Sequence, residues 1–303
     1  MTSPAGPQPT ETLPTATTQP TVTAKPSLLA PTPTGARAVS TPAPTLPSAA
    51  QEAYWLQLIE TNGGCDLPCW WGVQPGADAR SAILRFLAPL NITDVFPLSS
   101  NDIDYYNFPL HVNQSDVLNL IVGVTAQNGS ALNVHVVADN LDIFTDLSAT
   151  LKQYAFRELL LQYGKPSSVL LALEPSAEAN GPFIYDLWVF YEETGVLVGY
   201  SGVGVTTRGE TWSFCTDFET VKTFRLYLQA GDDLTPLQTL AGDFAEFDAL
   251  QARGYFHTWE MATGMSLTDV TAASAQTGNG FCFQSPENVW KPSLNYWSLA
   301  NQD

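Results

Sequence analysis

The sharpest chemical signal in the sequence comes from cysteine. Cys65 and Cys69 enclose Asp66-Leu67-Pro68, whereas Cys215 and Cys282 stand far apart, each with Phe beside it. Such thiols can bind zinc, exchange electrons or form disulfides. Zinc sites favour pairs two residues apart. Here the spacing is three and the other two cysteines are isolated, so no metal is expected. A reactive thiolate needs positive charge nearby, and the neighbour here is Asp66. In a chain with exported character the remaining reading is two structural disulfides, which four cysteines could connect in three ways. The favoured pairing is Cys65–Cys69, closed locally around Pro68, with Cys215–Cys282.

Other residues with chemical potential form no catalytic set. His111, His135 and His257 make no close metal-binding pair, and alternation puts His135 beside Asn133 on the polar side of a strand. Gly199-Tyr200-Ser201-Gly202 superficially resembles a nucleophile elbow, but its second glycine comes one residue early and the segment reads as strand. Asn101, Asp102 and Asp104 cluster, as do Asp232 and Asp233, without the glycine and terminal Glu of a calcium loop. Turn and cap chemistry accounts for them. Trp70 and Trp71 sit on a Pro/Gly-rich loop and are the candidate ligand or partner contacts, since exposed aromatics stack on sugars and anchor proteins. The competing expectation is that both fill the gap beneath the Cys65 loop.

Charge narrows the partners. With 12 basic and 30 acidic residues the net charge is −18, unfavourable for tracking a phosphate backbone or an anionic leaflet. No apolar run reaches the roughly 18 residues of a membrane-crossing helix. The start, Met1-Thr2-Ser3-Pro4, lacks the basic and apolar regions of a signal peptide. The expectation is therefore that a leader preceded this Met1, with any membrane attachment made through an N-terminal lipid anchor outside this chain.

Local patterns indicate the supporting elements. Residues 1–50 carry only Glu11, Lys25 and Arg37 as charges and no aromatic residue. With repeats such as Thr41-Pro42-Ala43-Pro44-Thr45 they read as an unstructured, polyproline-leaning stalk. From Tyr54 apolar content rises: Trp55, Leu56, Leu58 and Ile59 form a short helix closed by Asn62-Gly63-Gly64, and Asp78 caps a second with Ala79, Ile83, Phe86 and Leu87 on one face. Leu118, Leu120, Val122 and Val124 alternate along a strand, as do Leu132, Val134 and Val136, and Asn128-Gly129 joins the two as a type I′ hairpin.

The order then repeats. A helix capped at Asp146 bears Leu151, Ala155, Leu159 and Tyr163 and stops at Gly164-Lys165-Pro166. Strands follow over 167–173, 184–191 and 196–201. The last hundred residues add a strand over 223–229 and two capping boxes, Asp243 with Glu246 and Ser266 with Asp269, the first opening a helix that buries Phe244, Phe247 and Leu250. Phe281 to Pro286 and Trp290 are expected to dock back on the body.

The run Cys65-Asp66-Leu67-Pro68-Cys69-Trp70-Trp71-Gly72-Val73-Gln74-Pro75-Gly76, the helix end Gln162-Tyr163-Gly164-Lys165-Pro166 and the tail from Gly280 to Trp290 together resemble uncharacterised exported proteins and lipoproteins of Chloroflexota. That resemblance spans nearly the whole chain and implies export and a stalk, but no activity. A fold-level likeness, Pro-Gly turn, helix, Tyr-Gly-x-Pro stop and meander, is similar to BamE-type lipoproteins and the β-lactamase-inhibitor-protein fold, which are binding and scaffolding modules.

These features predict an α+β protein. Residues 1–50 form the stalk, 51–140 and 141–205 two tandem helix-plus-antiparallel-meander units, and 206–303 a C-terminal α/β extension packed on the body. The expected role is cell-surface binding or scaffolding of an unknown protein or glycan, tethered by the stalk, with no cofactor and no catalytic residue. The alternatives are a cell-envelope hydrolase and a carbohydrate-binding module using exposed Trp.

Overall fold

A computed structural model describes residues 46–100, 102–110, 120–139, 141, 149–174, 183–207, 211–218, 220–230, 255–276, 281–286 and 288–290. The chain divides into two compact units, Met1–Pro42 and Ala43–Asp303, and every described residue belongs to the second. The stalk up to residue 45, and with it Asn101, His111, Leu118, Asp146, Asp232, Asp233, Asp243, Glu246, Phe244, Phe247 and Leu250, lies outside the described residues.

Helix α1, Ser48–Thr61, ends where Asn62 turns left-handed at φ 50° and its N–H bonds the Leu58 carbonyl. Asn tolerates this conformation because its short amide can bond locally. Helix α2, Ala79–Leu87, begins where the Asp78 side chain accepts from the Ser81 N–H at 2.7 Å. Ala79, Ile83, Phe86 and Leu87 are buried on one stripe.

Strands β1, Leu98–Ser100, β2, Ile103–Leu110, β3, Leu120–Gln127, and β4, Ser130–Ala138, form the first meander. The turn between β3 and β4 places Asn128 at φ 51° and Gly129 at φ 82°, the geometry their sequence demands. One detail departs from simple alternation. Thr125 opposes Asn133 while Ala126 opposes Ala131, so Leu132 is the extra residue of a bulge, and Ala131 takes the core position expected of Leu132.

The second helix is not continuous. A 3-10 turn, Leu151–Tyr154, is separated from helix α3, Phe156–Tyr163, by an extended Ala155 at ψ 147°. Leu151, Ala155 and Leu159 are nonetheless buried. There follow β5, Ser168–Glu174, β6, Phe183–Tyr191, β7, Val196–Thr207, β8, Thr211–Cys215, β9, Val221–Gln229, β10, Phe256–Thr258, helix α4, Trp259–Thr263, helix α5, Leu267–Ser274, and β11, Cys282–Pro286. Ser266 caps α5 by accepting from the Asp269 N–H at 3.1 Å.

All pairings between these strands are antiparallel, in the order β1-β2-β3-β4-β9-β7-β6-β5-β10, with β8 and β11 continuing from the end of β7. Strand β9, from the last hundred residues, lies between β4 and β7, so the two meanders share one sheet. The helices pack on one face of that sheet around a single large core. Leu170, Ala172, Trp188, Phe190 and Leu197 form a smaller cluster with Tyr255 and Phe256, on the opposite face by strand alternation.

Candidate functional site

Both disulfides form in the favoured pairing, Cys65–Cys69 and Cys215–Cys282. The second clamps a cross-strand pair, since Cys282 lies directly opposite Cys215 where β11 meets β8. Stable cystines of this kind belong to oxidising compartments. Asn62 organises the first loop: its amide donates at 2.7 Å to the carbonyls of Cys65 and Cys69 and accepts from the Trp71 N–H at 3.2 Å. The Leu67 N–H donates to the Tyr163 hydroxyl at 3.1 Å, fastening the loop to α3.

That loop turns Trp70 and Trp71 inward. They are 0% and 3% exposed, so of the two expectations the filling of the gap beneath the Cys65 loop holds, and neither ring is a solvent-facing contact. Trp71 packs 5.5 Å from Phe86 and 5.5 Å from Trp55, while Trp70 lies 5.1 Å from Tyr154. The physical reason is the turn itself. Trp70 and Val73 exchange two backbone hydrogen bonds, at 2.9 and 2.8 Å, and the positive φ of Trp71 and Gly72 aims both indoles between α1, α2 and the Leu151–Tyr154 turn.

On the opposite sheet face Ser201 donates to Asp186 across the β6–β7 register. Burial raises the Asp186 pKa, opposed by that hydroxyl and by the charge of Arg225. The Arg225 guanidinium lies 5.9 Å from the Trp188 ring centroid, and Trp188 lies flat over Gly199, where a Cβ would come within 2.7 Å of its ring. His135 similarly covers Gly123, and burial lowers its pKa. A hydrolytic triad from these groups fails on register. Ser201 opposes Thr223 and His135 opposes Tyr227, two strands and about four residues apart, or about 16 Å. His257 is buried 4.7 Å from Trp290. Burial lowers its pKa, opposed by a hydrogen bond with the Val289 backbone. Gly199-Tyr200-Ser201-Gly202 is continuous β7 strand, with Tyr200 buried and donating to the Tyr154 carbonyl.

The free end of the sheet differs from this packed interior. Among the described residues no strand lies beyond β1. Phe96 and Leu98 are 83% and 73% exposed, with Ile92 and Tyr105 also exposed. Leu98 opposes Tyr105 and Ser99 opposes Asp104. Because alternate residues face opposite ways, Leu98 and Tyr105 lie away from the helices. Asp104 shares the helical face with buried Tyr106 and accepts from the Ser99 hydroxyl at 2.6 Å. Beside it an open recess of about 370 Å³ is lined by Ser99, Ser100, Asp102, Asp104, Asn128 and Gly129. Asp94 pairs with Arg80, whereas among the described residues Asp102 and Asp104 form no ion pair.

No family model, curated protein or solved structure matches the chain. The edge must be read from its own chemistry: apolar on one side, acidic on the other, with backbone donors and acceptors between. Asp102 and Asp104 stand out in the sequence as turn residues. Phe96 and Leu98 do not, because an alternating Phe-Pro-Leu run looks the same whether its side chains face core or solvent. Among the described residues no three His, Cys, Asp or Glu side chains converge as metal ligands, and no helix is long and apolar enough to cross a membrane.

Proposed function

We propose that this chain is a binding or scaffolding module acting outside the reducing cytosol and held at the cell surface through its residues 1–50. The observation that carries the reading is the exposed Phe96 and Leu98 at a sheet edge that no strand covers among the described residues. Large apolar side chains gathered on a soluble surface mark an interaction site, and natural sheets ordinarily blunt such edges. The two disulfides support an oxidising location. The likeness of the Cys65 to Gly76 segment to exported proteins supports it too, and a Pro/Thr-rich spacer is what a surface display module requires.

The test is photocrosslinking on intact cells. A benzophenone amino acid replaces Phe96 in one strain and Leu161, exposed on α3, in another. The expected result is a discrete adduct from position 96, absent from position 161, on a protein that added protease removes from unbroken cells. Identical patterns from the two positions, or full protection from the protease, overturn the proposal.

A further inference from the structure

Resting on that binding reading, we propose that β1 accepts an added strand from a partner segment whose side chains alternate between apolar and basic. The edge itself dictates this pattern. Residues of an added strand point alternately to the two faces of the sheet. On the face away from the helices they meet Leu98 and Tyr105, both exposed and apolar-bodied, and Phe96, two residues before β1, is exposed as well. On the helical face they meet the recess carrying Asp102 and Asp104, which among the described residues no cation neutralises. A Lys or Arg there places its charge against two carboxylates, while the next residue covers Leu98.

Three described strand residues give few ladder hydrogen bonds, so affinity must come from both faces, as in other strand-addition complexes. Charge also decides against the simplest competitor, a second copy of this chain. Pairing β1 with itself would bring Asp102 and Asp104 of two molecules, each of net charge −18, toward one another. A basic partner gains from the same field, in its association rate as well as its affinity.

The experiment uses the full chain and fluorescent, end-blocked peptides titrated by anisotropy. One peptide alternates Lys with Val and Leu, a second replaces Lys by Glu, a third has the first composition in two blocks, and a fourth repeats the first with N-methyl groups along one edge. The alternating Lys peptide is expected to bind, and the other three to bind at least about tenfold more weakly. Asp102→Asn with Asp104→Asn should weaken the Lys peptide and flatten its salt dependence. Phe96→Ser with Leu98→Ser should weaken it about tenfold while leaving Tm unchanged, since both side chains are exposed.

Equal binding of the block or N-methylated peptide would overturn strand addition. So would a concentration-dependent dimer that Phe96→Ser abolishes in sedimentation, because a second copy would then be the occupant. If no peptide binds but position 96 still crosslinks a partner on cells, strand addition falls and the binding reading survives. If position 96 captures nothing, both fall.

Discussion

Trp70 has no exposed surface and stacks between Trp71 and Tyr154, at 5.4 and 5.1 Å. Truncating a fully enclosed indole leaves a cavity that neighbouring rings cannot fill. Trp70→Ala should cost about 3–5 kcal/mol, measured by urea unfolding. A loss under about 1 kcal/mol would show that the ring does not support the core. His257 supplies a pH dependence. Burial lowers its pKa from the ordinary 6.5, so the folded chain binds fewer protons than the unfolded one between the lowered value and 6.5. Its contribution is whole above about 6.5 and is lost as pH falls through that window. His135 carries the same sign; Asp186, whose pKa burial raises, carries the opposite one. Between pH 7.5 and 5 His257→Gln should therefore lose less Tm than the unaltered chain. Parallel curves would remove His257 from the account.

Among the elements, β4 is unusual in tolerating a change that would ruin most strands. Deleting a residue from a regular strand sends every side chain beyond it to the wrong face. Leu132 is the surplus residue of a bulge, with Ala131 and Val134 already in the core. Removing it joins Ala131 to Asn133 and restores strict alternation. Deletion of Leu132 should cost no more than about 1–2 kcal/mol, whereas deletion of His135, inside the regular ladder, should abolish cooperative thermal unfolding. Comparable damage from both deletions would contradict the register. Elements were legible in sequence where two local signals coincided. Asp78 with its apolar stripe fixed α2, and Asn128-Gly129 fixed the β3–β4 turn. Ala155 gave no warning of the break before α3, because alanine favours helix and only packing of Tyr154 under Trp70 and of Phe156 near Trp259 makes an extended residue preferable.

For the whole molecule the two disulfides should matter unequally. Cys65–Cys69 closes a loop of 4 residues and Cys215–Cys282 one of 67. By loop-closure entropy these contribute about 2 and about 4 kcal/mol. Replacing Cys215 and Cys282 by Ser should lower Tm more than replacing Cys65 and Cys69. The reverse order would mean that the Trp70 and Trp71 turn depends on its cystine more than on Asn62. The long bridge also stands where β8 and β11 leave the main sheet. It thus ties the C-terminal tail, with fully buried Trp290, to the strands around β7.

By itself the sequence determined what is local: the short loop between Cys65 and Cys69, the caps of α2 and α5, the turn chemistry at Asn128-Gly129, and the acidic character that disfavours polyanionic partners. These depend on residues close in the chain, or on charge, which needs no fold to be counted. Only the tertiary structure decided that β9 closes the gap between two meanders, that Trp70 and Trp71 point inward, and that Phe96 and Leu98 face water. Each of those is set by which strand or helix lies alongside, and an apolar residue carries no mark saying whether its neighbour in space will be another side chain or solvent.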